Sequence, residues 1–404
     1  VSISASGWTL FAAAAGLTLI SILLIYSATH ASPDPSLHGY YLRQAVWFLI
    51  GLVAFSGAVT VPLRLHEILA YVYYFAAGLL LVGLIAFGTI KFGGQRWYSL
   101  GFFNFQPSEI AKIVFILALA RYLCYSKRPI HSLRKLLIAL FLCVFMTLLV
   151  LRQPDLGTSI TFLVAFVVMM YWAGLPSRYL ILLISPVVSM IASSSTFAWI
   201  IFFVLLFIVI VLIRPSWNFG VLIVAVNLFV GALSTIVWNQ LQDYQKMRIK
   251  IFLDPGQDPL GAGYQIIQSK IAIGSGGFFG KGYLSGSQSQ LDFLPLRHTD
   301  FIFSVAGEEF GLLGAAVILI LCGYLLYRGI QAALKTRNEF ASLVAIGVIA
   351  TLGFQMVVNI GMVLGLMPVT GLPLPFVSYG GSSMVTSWLL VGLLINVDRN
   401  WQEY

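Results

Sequence analysis

The sequence predicts an all-α, polytopic integral membrane protein with about twelve spanning helices. Three observations predict it. Apolar runs of about 18 or more residues recur from one end of the chain to the other, as spanning helices require. Charged residues make up 9% of the chain and hydrophobic ones 59%, where a soluble domain carries about 25% charge. The one long polar stretch, 239–300, holds six of the 23 basic and five of the 14 acidic residues. No stretch of soluble-domain length separates the spans, so 1–404 reads as a single membrane domain with 239–300 as a large loop within it.

Taken in order, the apolar runs place spans at about 8–28, 43–62, 67–90, 107–124, 134–151, 157–173, 178–194, 197–213, 218–238, 301–328, 340–366 and 376–396. Ser193-Ser194-Ser195 barely separates the seventh from the eighth. The chain opens at Val1 without Met, so a few preceding residues are expected to be missing. The first span is too long for a signal peptide and lacks its small-residue cleavage site, so it reads as mature structure. Within 239–300 the apolar side chains Ile266, Ile267, Ile271, Ile273, Phe278 and Phe279 are too many for a solvated linker. That stretch reads as a partly folded cap with short helices at about 245–253 and 263–273. Cys124, Cys143 and Cys322 show no paired spacing and suggest neither a disulfide framework nor a metal site.

The basic residues set the orientation. Arg121, Lys127, Arg128, Arg134 and Lys135 crowd one loop, and Arg64, Arg178, Arg214, Arg328, Lys335, Arg337 and Arg399 fall on the same side. That side is expected to be cytoplasmic. The net charge of +9 then reads as a topology signal and not as a nucleic-acid footprint. Loops 29–42, 91–106, 152–156, 239–300 and 367–375 share the opposite face.

The unusual residues collect on that opposite face. Gly94-Gln95-Arg96-Trp97 precedes Phe105-Gln106-Pro107-Ser108-Glu109. Pro107 suits the first turn of a helix. Glu109 and Lys112 share a helix face, as an interfacial ion pair or as part of a site. Asp155, in Gln153-Pro154-Asp155-Leu156-Gly157-Thr158, stands where a carboxylate caps a helix N-terminus, and that role alone could account for it. Glu308 and Glu309 lie near the outer end of the tenth span. Ionisable groups there raise a functional reading, with pairing or snorkelling as the alternative, favoured more for Glu308. Residues 367–376, with three prolines and no charge, read as a re-entrant or irregular segment, which needs protein or a cavity around it. Summed, Arg96, Lys112, Asp155, Arg248, Lys270, Arg297 and Asp300 suit an anionic headgroup such as a diphosphate, with a carboxylate left to move a proton. Walker, dinucleotide-binding, HExxH and clear GxSxG patterns are absent from the sequence.

These stretches, together with Asp258-Pro259-Leu260-Gly261-Ala262-Gly263-Tyr264-Gln265, Gln268-Ser269-Lys270, Gly274-Ser275-Gly276-Gly277, His298-Thr299-Asp300-Phe301 and Pro373-Leu374-Pro375-Phe376-Val377-Ser378-Tyr379-Gly380-Gly381, resemble the SEDS family (shape, elongation, division and sporulation). The matches run from the first span to the last. Leu294-Pro295-Leu296-Arg297-His298-Thr299-Asp300 and Pro368-Val369-Thr370-Gly371 resemble the elongation members, RodA, more than the division members. Two departures stand out. Family members usually have ten spans, so the excess between 174 and 238 reads as an inserted hairpin. Leu296 replaces an acidic residue often found there.

The resemblance implies a peptidoglycan glycosyltransferase that polymerises lipid II, an undecaprenyl-diphosphate-linked disaccharide pentapeptide, into β-1,4 glycan at the outer face of the bacterial cytoplasmic membrane. It also implies a class B penicillin-binding protein as partner, membrane lipid around the spans, and no nucleic acid. Asp300 matches the family's essential loop carboxylate and is expected to be the general base. Trp97, Lys112 and Asp155 match positions the family also needs. Lys112 and Arg96 are expected to neutralise the leaving diphosphate, with Arg248 and Lys270 as weaker candidates. Asp155 is expected either to orient Lys112 or to help hold a divalent ion. Glu109, His298, Ser378 and Ser382 complete the expected substrate-binding set. Mg or Mn is a possible cofactor that the sequence marks with no ligand cluster. Two other readings stay open: a lipid II flippase, which would place charges deep in the spans, and a noncatalytic scaffold of a cell-wall synthesis complex.

Overall fold

The computed structural model describes residues 4–91, 94–99, 101, 104–130, 132–240, 246–247, 251–252, 263–291 and 293–400. Among these, a helix lies over each of the twelve apolar stretches: α1 Ala5–His30, α2 Tyr40–Thr60, α3 Leu63–Phe87, α4 Pro107–Tyr125, α5 Leu133–Leu151, α6 Leu156–Trp172, α7 Ser177–Ala192, α8 Thr196–Ile213, α9 Trp217–Gln240, α12 Ile302–Lys335, α13 Glu339–Val363 and α14 Gly381–Arg399. Two shorter helices, α10 Tyr264–Gly276 and α11 Ser287–Gln290, lie in the long loop. Nine of the helices among the described residues are long and apolar enough to cross a membrane. The other three are α4, which carries Glu109, Lys112 and Arg121, and α6 and α7, which are 17 and 16 residues long. Fully polar-free runs were not needed for helix formation, because in a bilayer every backbone group must be satisfied within its own segment.

α4, α13 and α14 run through the centre, with most of their residues buried. α2 packs along α14, α3 along α4, α6 along α13, and α1 and α10 along α12. Trp388 of α14 is fully buried, ringed by Phe11, Phe48, Phe55 and Phe376 with centroids 5.3–5.9 Å away. The basic ends are tied together. Arg121 donates to the Glu67 carbonyl at 2.6 Å, Lys135 to the Leu123 carbonyl at 2.9 Å, and Asn396 to the Ala58 carbonyl at 2.7 Å.

At the opposite end the structure departs from the sequence reading in three places. Residues 89–105 hold a small antiparallel sheet, β1 Thr89–Lys91, β2 Gly94–Ser99 and β3 Asn104–Phe105, in the order β1-β2-β3. The tenth helix is broken. Gly311 has φ 62° and ψ −155° inside α12, so residues 302–310 form a separate buried helical stretch before the main span. The last helix starts at Gly381 rather than near 376, because Ser21 of α1 and Gln44 of α2 hold the Val377 and Ser378 carbonyls at 2.6 and 3.1 Å. Residues 364–380 are therefore an irregular segment packed in protein, with Leu372, Leu374, Phe376 and Val377 buried. Helix α10 covers the expected 263–273. Of the expected helix at 245–253, residues 246–247 and 251–252 are helical and the rest lies outside the described residues. All three cysteines are free.

Candidate active site

Two polar groups form at the motif-bearing end. The first is built on β2, the α5–α6 turn and the start of α4. Strand alternation sends Arg96 and Tyr98 to one face of β2. The Tyr98 hydroxyl donates to the Leu80 carbonyl of α3 at 2.9 Å, and Arg96 reaches the α5–α6 turn. There Arg96 donates to the Gln153 carbonyl at 3.2 Å and to the Pro154 carbonyl, and its guanidinium lies 3.9 Å from the Asp155 carboxylate. Asp155 is the N-cap of α6. It accepts from the Thr158 amide at 3.2 Å, the Thr158 hydroxyl at 3.0 Å and the Gln106 side chain at 3.3 Å. Gln106 precedes α4, and its amide donates to the Ser382 hydroxyl at 3.2 Å, which also meets the Asn104 carbonyl at 3.3 Å. One turn into α4, Lys112 and Glu109 pair at 2.7 Å, with the Lys112 side chain 1% exposed. Glu109, and not Asp155, is thus the carboxylate bonded to Lys112.

The second group is the His298–Asp300 loop seated on residues 367–380. The Tyr379 amide donates to the His298 carbonyl at 3.0 Å. The Tyr40 and Tyr379 rings stack at 4.5 Å, and both lie against His298, at 5.1 and 5.9 Å. Burial, then the neighbouring Tyr40, pushes the Tyr379 phenol up, so it stays a neutral hydroxyl. Asn359, buried on α13, donates to the Asp300 carbonyl at 3.1 Å and to the Leu372 carbonyl at 2.8 Å. The Ser378 hydroxyl accepts from the Leu374 amide at 2.8 Å, which makes it part of the turn.

The two groups are joined through Gly157. A Cβ there would lie 2.8 Å from the Leu372 side chain and 3.1 Å from the Thr370 carbonyl, so only glycine lets the Asp155-capped turn of α6 touch the irregular segment. That segment shares Asn359 with Asp300. Asp155, Arg96, Gln106, Asn359 and Asp300 therefore lie along one continuous run of contacts.

Other expected residues fall elsewhere. The Arg297 side chain is buried and donates to the Ala28 carbonyl at 2.6 Å, anchoring the loop to the end of α1. Lys270 is exposed on α10 and lies over Gly365, where a Cβ would meet its Nζ at 2.5 Å. Trp97 sits in β2 opposite Thr89, whose hydroxyl donates to its carbonyl at 2.9 Å. Arg248 lies outside the described residues, as do residues 258–262 of the matching motif. Glu308 is fully buried and paired. It takes Lys281 at 2.9 Å and the Gln288 and Ser289 amides at 2.8 and 3.0 Å. Glu309 accepts from Ser27 and, at 3.4 Å, from Gln290.

A family model described as a cell cycle protein, FtsW/RodA/SpoVE, matches residues 8–199 and 193–403. The chain belongs to this family, the SEDS family. Among SEDS proteins it is 40% identical to the peptidoglycan glycosyltransferase MrdB of Escherichia coli K12 over 95% of this chain and 92% of that one. It is 36% identical to the peptidoglycan glycosyltransferase RodA of Treponema pallidum, over 95% of each, and 33% identical to stage V sporulation protein E of Bacillus subtilis, over 95% of this chain and 94% of that one. A solved structure described as "Structural coordination of polymerization and crosslinking by a peptidoglycan synthase complex" superposes with a TM-score of 0.74 at 33% identity, with both chains fully covered. The crystal structure of Thermus thermophilus RodA gives 0.66 at 30% identity, covering 100% of this chain and 98% of that one. The chain is a multi-pass membrane protein of this SEDS fold.

Sequence reasoning missed the part Asn359 plays. The signal was present, since an amide in an otherwise apolar helix needs a partner. It also missed the contacts of Gln106 with Asp155 and Ser382 and the Tyr40–Tyr379 stack, which join segments distant in the chain.

Proposed function

We propose that this chain polymerises lipid II into β-1,4 glycan at the outer face of the bacterial cytoplasmic membrane during elongation, beside a class B penicillin-binding protein that crosslinks the strands. It is a peptidoglycan glycosyltransferase, the activity for which relatives at 36–40% identity are named. The observation that carries the finer reading is the continuity of the Arg96–Asp155 group with the Asp300 loop through Leu372 and Asn359.

In that reading the acceptor sugar's 4-hydroxyl attacks the donor's anomeric carbon. The new C1–O4 bond forms as the C1–O bond to the polyprenyl diphosphate breaks, on the opposite face, so the α-linked donor gives a β product. Asp300 takes the hydroxyl proton, the base-assisted role of inverting chemistry. The charge that develops on the diphosphate goes toward Arg96 and Lys112. Asp155 holds Arg96 and the start of α6 in place. Among the described residues no three His, Cys, Asp or Glu side chains converge, and Asp155 already accepts from Thr158 and Gln106. No step here uses a divalent ion. Basic residues gathered at the opposite end support an extracytoplasmic site.

The test is polymer formation by the purified protein in liposomes with labelled lipid II, with and without the penicillin-binding protein, comparing Asp300 with Asp300→Asn. The expected result is a loss of about 100-fold or more in a folded variant, the scale of general-base catalysis. Equal polymer from both removes Asp300 as base. No polymer from either, with lipid II crossing the bilayer, favours a flippase.

A further inference from the structure

We propose that Asn359 is a positioning residue for glycosyl transfer, a clamp that fixes the backbone of Asp300 relative to the Asp155 turn. The proposal rests on the reading that Asp300 is the base.

The geometry is specific. Both acceptors of the Asn359 amide nitrogen are main-chain carbonyls on different segments, Asp300 at 3.1 Å and Leu372 at 2.8 Å. Two carbonyls can be served only by the NH2 end of the amide, so the side chain has one orientation. The residue is fully buried on α13, and its Oδ1 has no hydrogen-bond partner among the described residues. An apolar residue of similar size would avoid leaving that oxygen unpaired. Asn is the residue that donates two hydrogen bonds from one short, neutral group, and the site accepts the orphan oxygen to have them.

The bonds land where they can act on chemistry. Asp300 and Thr299 belong to a turn closed by the Leu296 carbonyl, which takes the Thr299 amide at 3.0 Å. With its carbonyl pinned to α13, Asp300 begins α12 from a fixed point. Leu372 in turn packs on Gly157, two residues past Asp155. One side chain therefore sets the spacing between the candidate base and the Asp155 turn that holds Arg96. Misplacing a reacting group by about 1 Å costs on the order of 100-fold in rate.

The experiment compares Asn359→Ala, Asn359→Ser and Asp300→Asn in liposomes with labelled lipid II. Thermal melting in detergent reports folding, and rate against lipid II concentration separates kcat from KM. The expected result for Asn359→Ala is a kcat lowered on the order of 10- to 100-fold, with KM within about twofold and with the pH profile of kcat changed. Asn359→Ser keeps one donor and recovers part of kcat. Unchanged kcat in folded Asn359→Ala, with Asp300→Asn inactive, overturns the clamp and leaves Asp300 as base. A fall in activity that only follows the fraction folded, or failure of both Asn359 variants to fold, overturns it too, since the residue is then structural. Full activity in Asp300→Asn overturns the parent reading, whatever Asn359 does.

Discussion

The buried pair Lys112–Glu109 carries opposite stakes for stability and for chemistry. Its members are 1% and 5% exposed and 2.7 Å apart. Removing one partner leaves a charge with no counterion, which costs about 3–5 kcal/mol, while removing both at once is far milder. Lys112→Met is therefore expected to lower the melting temperature in detergent sharply, and adding Glu109→Gln to restore most of it. If Lys112 also receives charge from the leaving diphosphate, the double variant melts normally and makes no polymer. A double variant that both melts and polymerises normally would reduce the pair to a packing feature. The residues of this site were legible as types: Glu109 and Lys112 share a face by spacing alone, and Asp155 announces a cap. The partners of Asp155 and Arg297 were not legible. That Asp155 faces Arg96 and Gln106, and that Arg297 turns inward to α1, depends on segments brought together only by the fold.

At the scale of elements, the break in α12 is answered by the loop before it. With Gly311 out of helical geometry, the backbone groups around it need partners from elsewhere. Residues 277–282 supply them. Lys281 and Gly282 amides donate to the Glu308 and Glu309 carbonyls, each at 3.0 Å, and the Leu312 amide donates to the Gly277 carbonyl at 3.0 Å. The two segments approach so closely that a Cβ on Gly280 would lie 2.1 Å from the Glu309 carbonyl oxygen, and Gly280 has φ +82°. Gly280→Ala is thus expected to destabilise by more than about 1–3 kcal/mol, the strain of the backbone position alone. Gly274→Ala, in α10 with nothing within 4 Å, is the control, expected to be neutral or to gain up to about 1 kcal/mol. Melting curves of the two variants decide it, and equal curves would mean the loop does not close the break. The apolar runs located the helices because the bilayer requires about 20 apolar residues per span. They did not locate this break, although Glu308 and Glu309 interrupt the run just before Gly311. Nor could they find the sheet at 89–105, whose strand β2 is held against α3 by Tyr98 and against the α5–α6 turn by Arg96.

Across the whole molecule, α7, α8 and α9 sit at the rim, with α8 burying only Leu206. α7 packs on α8 and α9, and its main helix contact with the remainder runs to α6. The three helices are stitched by polar groups from one face of α7. The Ser189 hydroxyl donates to the Asn227 carbonyl at 2.8 Å and takes the Trp199 indole at 3.1 Å, Ser193 meets Ser234 at 2.7 Å, and the Asn227 side chain reaches Ser185 at 2.9 Å. In lipid there is no hydrophobic drive between helices, so such bonds and close packing hold them together. None of these residues belongs to the Arg96–Asp155 or Asp300 groups. Asn227→Leu removes the Ser185 bond and one to the Ile223 carbonyl. At about 0.6 kcal/mol per bond, it should loosen the unit by roughly 1 kcal/mol. The rate of polymer formation from lipid II should stay within about twofold of the unaltered protein, whereas a rim that reached the chemistry would need a larger change in kcat. A modest drop in melting temperature with unchanged polymer places α7–α9 outside the catalytic machinery. A loss of polymer matching that of Asp300→Asn would put α7–α9 inside it, and the site would then have to be redrawn to include α6 and its neighbours.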